Sequence, residues 1–263
     1  MNGEPVPPRP DVAGPAAPVR RGGVLVHGLD ARPSATWRWW EALAVYLGAV
    51  LLGGAATLPV FSLVRSRPLA EIVASAVVAL VTLGVVVLWL RTLHRDWVGI
   101  VGLPRPAGPH VRAGVAFALG LYPTATLVVG GVLALLFTAI AGEPVRPPEQ
   151  IPTDVGGGGL VAAALYAVLV APVGEELFFR GVLFRAVRDR HGFWPGAVLS
   201  SVCFGLVHYV PGPAAGTILL MTVMVFAGFG FAFIYERRGA LWAPIAAHAT
   251  FNVIGLALIF ALR

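Results

Sequence analysis

Apolar positions in this chain fall in seven long runs, at about 42–64, 68–90, 111–141, 158–178, 194–210, 214–235 and 240–262. A helix crosses the hydrocarbon core of a bilayer with ~20 such residues, so each run reads as a transmembrane span, although the fifth is short. The third is long enough to tilt or to extend into water. Pro59, Pro123, Pro172 and Pro244 lie inside runs, where neighbouring helices can satisfy the carbonyl that a proline frees. Residues 1–36 are rich in Pro, Gly, Ala and Arg and lack apolar periodicity, which predicts a disordered tail. Trp39 and Trp40 then mark a membrane interface. The pattern predicts an all-α, polytopic transmembrane bundle of about seven spans over 37–263, with no signal peptide and no evident repeat.

Composition strengthens that reading. Apolar residues make up 57% of the chain and charged ones 12%, with a mean hydropathy of +0.82, against roughly 25% charged in a soluble domain. All 19 basic residues are arginine, and together with the abundant Ala, Gly, Val and Pro this suggests a high-GC bacterial genome. The net charge of +6 does not point to nucleic acid, because the arginines sit in short groups between apolar runs and form no basic face. Cys203, the only cysteine, can form neither an intrachain disulfide nor a cysteine metal cluster.

The arginines also orient the chain in the cell membrane. With the N-terminus cytoplasmic, the inner segments hold Arg9, Arg20, Arg21, Arg32 and Arg38, then Arg91, Arg95, Arg105 and Arg112, then Arg180, Arg185, Arg188 and Arg190, and finally Arg237 and Arg238. Only Arg65, Arg67, Arg146 and Arg263 fall outside.

Few ionisable groups interrupt the runs, and each costs ~2.5–3.5 kcal/mol or more at mid-bilayer, so each needs a partner or a purpose. Glu71 stands apart, with Arg65 and Arg67 as neighbours. The others form three patterns. In Ala171-Pro172-Val173-Gly174-Glu175-Glu176-Leu177-Phe178-Phe179-Arg180-Gly181, Glu176 and Arg180 are four apart on a helix and can pair. Glu175 is turned ~100° away and keeps no local cation. The second pattern, Phe204-Gly205-Leu206-Val207-His208, ends on an imidazole; the third, His248-Ala249-Thr250-Phe251-Asn252, puts an imidazole and an amide on one helical face. A turn at His191-Gly192 would place Glu175 and His208 at similar height, roughly 25 Å along antiparallel helices. His248 starts from the same side, so one shared pocket is expected, opening towards the inner face.

Taken in order on consecutive apolar segments, Glu-Glu-x-x-x-Arg, Phe-x-x-x-His and His-x-x-x-Asn resemble the CPBP family of intramembrane proteases. That family groups type II CAAX prenyl endopeptidases with bacterial bacteriocin-processing and immunity-type relatives. The resemblance covers roughly 98–263, with the protease-like core in about 158–263, and Gly102-Leu103-Pro104-Arg105-Pro106 is similar to the family's pre-helix segment. It implies Glu175 as the general base on a water and His208 as a second holder of that water. It further implies His248 and Asn252 as oxyanion donors, with Glu176 and Arg180 as structural support. Hydrolysis needs such a base and such donors.

Two alternatives stay open at this level. Glu175, His208 and His248 could instead form a two-histidine, one-carboxylate zinc site, although the His-Glu-x-x-His signature is absent. The same polar network could also serve a non-enzymatic immunity or scaffolding protein. A small transporter would call for an inverted repeat, which the sequence does not display. As an enzyme the protein would act on a membrane-embedded or membrane-proximal peptide. The loop 143–157 would be either a gate or a connector.

Overall fold

The computed structural model describes residues 19–21, 24–26, 28–103, 107–150 and 156–261. The first part of the expected tail, Pro104-Arg105-Pro106 and loop residues 151–155 lie outside the described residues. Among the described residues, six helices are long and apolar enough to cross a membrane: α1 (Trp39–Leu63), α2 (Arg67–Leu93), α4 (Gly108–Ala141), α5 (Gly157–His191), α7 (Ala214–Arg238) and α8 (Trp242–Ala261). A short α3 (Trp97–Val101) follows α2, and α6 (Phe193–Val207) is the short fifth run. The only strands among the described residues are a small antiparallel pair, β1 (Val19–Arg21) and β2 (Val24–Val26).

Helix α5 is the hub. It packs against α1, α2, α3, α6, α7 and α8, and every residue from Leu177 to Phe184 is buried. That stretch is apolar all round but for Arg180, as expected of a helix surrounded by others. The outward faces carry lipid-compatible side chains instead: Leu51, Leu127, Leu135 and Ile140 are each more than 70% exposed. Trp39 and Trp40 are exposed at the start of α1, at the expected interface position.

Residues 28–36, expected to belong to a disordered tail, are folded. Gly28–Ala31 forms a 3₁₀ turn, Leu29 and Ala35 are buried, and Trp37 is fully enclosed with its indole N–H donating to the Val182 carbonyl at 3.0 Å. Polar contacts to distant residues hold this strap, which is why no local periodicity announces it. The Ala35 N–H donates to Asp189 Oδ2 at 2.8 Å, Arg185 Nη2 to the Pro33 carbonyl, and Arg32 Nε to the Gly239 carbonyl at 2.9 Å. Arg188 ties the strap to α7 by bonding both Asp30 (2.6 Å) and Glu236 (2.9 Å).

Three glycines at this end have positive φ: Gly28 (64°), Gly102 (67°) and Gly239 (58°). They also touch one another's backbones. A Cβ on Gly102 would sit 2.4 Å from the Gly239 oxygen, one on Gly239 2.3 Å from the Gly28 oxygen, and one on Gly28 2.1 Å from the Glu236 oxygen. Only glycine meets both demands, left-handed backbone and no side chain. Gly239→Ala should therefore cost about 1–3 kcal/mol and lower the thermal midpoint of the detergent-purified protein. Gly48→Ala, where a Cβ meets nothing within 4 Å, should leave it unchanged.

Candidate functional site

The site begins with a break in α5. From Tyr166 to Val170 the helix is wound wide, and the Ala171 N–H donates to the Tyr166 carbonyl five residues back. One step on in that register, Pro172 would donate to Ala167, but proline has no N–H. The orphaned Ala167 carbonyl is met from α8 by Asn252 Nδ2 at 2.7 Å. One N–H of the amide expected to serve an oxyanion is thus committed to the helix that carries the glutamates. Wide turns of this kind recur at functional sites because they re-aim the side chains that follow.

The pairing expected from the Glu-Glu-x-x-x-Arg spacing is present and entirely enclosed. Arg180 Nη1 donates to Glu176 Oε1 at 3.1 Å, with both side chains 0% exposed. Arg180 Nη2 reaches across to the Gly228 carbonyl of α7 at 2.9 Å, and the guanidinium lies over the Phe204 ring, 4.4 Å from its centroid. A side chain on Gly228 would bring a Cβ within 3.0 Å of that nitrogen. His248 Nδ1 also meets Glu176 Oε1, at 2.8 Å, while its ring stacks on Phe231 at 4.9 Å and 14°. One buried carboxylate therefore joins α5 to α8 directly, and to α7 through the arginine.

Glu175 points the other way, into a cavity of about 1350 Å³ that His208, His248 and Asn252 also line. Its Oε2 is 3.9 Å from His208 Nε2 and 4.0 Å from His248 Nε2, and it has no hydrogen-bond partner. His208 Nδ1 lies 2.7 Å from the Phe204 carbonyl. A carbonyl only accepts, so Nδ1 carries the proton and a neutral His208 offers a lone pair at Nε2. Three polar atoms from three helices thus converge, and a water between them can donate to only two.

A zinc ion fits these positions poorly. Two ligands bound tetrahedrally at zinc's ~2.0–2.1 Å lie roughly 3.3–3.4 Å apart, closer than either pair here, and no group of three or more His, Cys, Asp or Glu among the described residues could hold a metal.

The cavity opens at the end of the bundle opposite to the one expected. Phe61, Glu71, Pro147, Gln150 and Tyr209 line it, and all belong to the arginine-poor end. The height match itself held, but α6 carries His208 away from the arginine-rich turn, so the pocket faces the far side. Glu71 pairs with Arg67 at 3.0 Å, near the mouth. Sequence reasoning missed Tyr46, Thr82 and Tyr166, which also line the chamber. Tyr46 comes from α1, outside all three motifs, and stacks on Phe178 at 4.1 Å; its one signal is a polar group within an apolar run.

Residues 157–254 match the family described as Type II CAAX prenyl endopeptidase Rce1-like, which bears out the resemblance carried by the three motifs. A Bacillus subtilis protein described as "Putative membrane peptidase YdiL" is 39% identical over 84 residues, 32% of each chain. An Escherichia coli protein described as "Uncharacterized 24.3 kDa protein" is 25% identical over 167 residues, 62% of this chain and 71% of that one. The alignment spans about a third of the length of the Bacillus relative. No solved structure matches.

Asn252→Leu should leave the Ala167 carbonyl buried and unpaired, a cost of about 1–3 kcal/mol. The expected result is a lower thermal midpoint in detergent, with a smaller loss in Asn252→Gln, which keeps an amide donor.

Proposed function

We propose, from the match of residues 157–254 to the type II CAAX prenyl endopeptidase family, that this membrane protein is an intramembrane endopeptidase. It hydrolyses a peptide bond in a membrane-embedded or membrane-proximal substrate. The observation that carries the reading is the unpartnered Glu175 Oε2, facing a cavity between two imidazoles. A buried carboxylate oxygen without a partner is costly; Glu176 offsets that cost through Arg180 and His248 at its Oε1, whereas the Glu175 oxygen faces the cavity between two imidazoles.

The chemistry follows from which atoms donate and which accept. A water between Glu175 Oε2 and His208 Nε2 donates one proton to each. As its oxygen attacks the substrate carbonyl carbon, Glu175 takes the proton, acting as general base. The carbonyl oxygen becomes an oxyanion and needs donors. A proton on His248 Nε2 would supply one, with the ring held in place by Glu176 at Nδ1. Asn252 keeps a second N–H for the same oxygen. Collapse of the intermediate breaks the C–N bond, and the proton held by Glu175 passes to the leaving nitrogen. The first products are a carboxylic acid and an amine, and the acid's proton, the one that faced His208, then passes to the amine through solvent, leaving a carboxylate and an ammonium group, with no metal in the sequence of steps.

Glu175→Gln and His208→Ala, each assayed in detergent with a quenched-fluorescence peptide, should lose at least ~10²-fold in cleavage rate while keeping the wild-type thermal midpoint. Glu176→Gln should behave differently: it removes the counter-charge of a fully buried Arg180, and about 3–5 kcal/mol of stability should go with it. Unchanged cleavage in both Glu175→Gln and His208→Ala would defeat the assignment. A Glu175→Gln protein that is less stable yet equally active would favour the scaffolding alternative.

A further inference from the structure

The two halves of the bundle differ in filling. The half bearing the strap is solid: Trp37, Phe184, Tyr235, Leu90, Ile100 and Arg185 are all less than 2% exposed. The other half is hollow and holds the chamber.

The site's depth follows from levels that the contacts fix. Arg188 bonds Glu236, and Gly196 packs against Arg188, where a Cβ would lie 3.0 Å away. These three positions on α5, α7 and α6 are therefore at one height. Rising ~1.5 Å per residue from that level, Glu175 lies about 20 Å up α5 and His208 about 18 Å up α6, whereas the first residue of α7 lies about 33 Å up. The reacting groups sit near the middle of the bundle, with about 13–15 Å of hollow above them and packed side chains below.

Charge tells the two ends apart. Arg91, Arg95, Arg112, Arg190, Arg237 and Arg238 are exposed at the solid end. At the hollow end, among the described residues, exposed Arg65, Arg67 and Arg146 are matched in number by exposed Glu71, Glu143 and Glu149. Cytoplasmic ends of membrane proteins carry the excess arginine.

We infer that the chamber is entered from the extracytoplasmic side, and that its substrate is a peptide segment presented from that side whose scissile bond reaches mid-bilayer. The assignment of the chamber to peptide cleavage rests on the proposed function; the side of entry does not. A substrate confined to the cytoplasmic leaflet would have to pass the plug formed by Trp37, Phe184 and Tyr235. One whose chain descends from the opposite surface meets an open, largely apolar wall, then Glu175.

Thiol labelling of the full chain in cells decides this, in a Cys203→Ala background that removes the only cysteine. Gln150→Cys probes the mouth and Arg237→Cys the arginine-rich end. Thr82→Cys probes the level of the site, because the neighbouring Leu83 lies 3.8 Å from where a Gly174 Cβ would be. With a small, membrane-impermeant, cationic methanethiosulfonate, Gln150→Cys and Thr82→Cys should react in intact spheroplasts, and Arg237→Cys only after permeabilisation, with rate differences of at least ~10-fold. Reaction of Gln150→Cys or Thr82→Cys only after permeabilisation would overturn the inference. Labelling needs no turnover, so it decides the side of entry even if no peptide is cut. Loss of cleavage in Glu175→Gln is read separately and tests only the peptidase reading.

Discussion

A fully buried carboxylate with two partners organises this protein. Glu176 accepts from Arg180 on its own helix and bonds His248 from α8, while Arg180 extends the link to the α7 backbone at Gly228. In a membrane interior no water competes for such groups, so the geometry that brings them together is narrowly defined. It sets the rotation of α5, and that rotation turns the adjacent Glu175 towards the cavity. The glutamate paired with Arg180 and His248 and the one that faces the cavity are two consequences of a single helical phase.

A second constraint works along the axis of the same helix. Pro172 removes an N–H just where the wound-out turn would use it, and Asn252 supplies a side-chain donor from four residues beyond His248. Proline and asparagine therefore belong together physically, although 80 residues separate them in sequence. Two contacts between α5 and α8, one on either side of Glu175, hold the carboxylate and the His248 imidazole at a fixed separation. That rigidity is what an acid–base site requires.

The division into a packed half and a hollow half gives these contacts their setting. Aromatic rings, the Trp37 strap and the interlocked glycines close one end of the bundle. The other end is left open around side chains as small as Ala74, Ala79 and Gly130. The hollow end leads to Glu175 and the packed end lies behind it, so the same packing that fills one end of the bundle also aims the site.

The sequence alone determined the fold class, the places of the spans and the identity of the polar set. Each of these is a local or periodic property: run length against bilayer thickness, i to i+4 spacing, and the rarity of charge in an apolar run. It did not disclose the fold of residues 28–37, whose partners are far away and whose own pattern has no period. Nor did it disclose Tyr46, which enters the chamber from a helix outside the motifs, or the tie between Asn252 and Ala167, which depends on a helix wound five residues to the bond. The direction in which the chamber opens was misread for a related reason. Spacing along helices places residues at equal heights, but which end of the bundle is filled depends on the sizes of side chains meeting from several helices at once, and only their packing in three dimensions decides that.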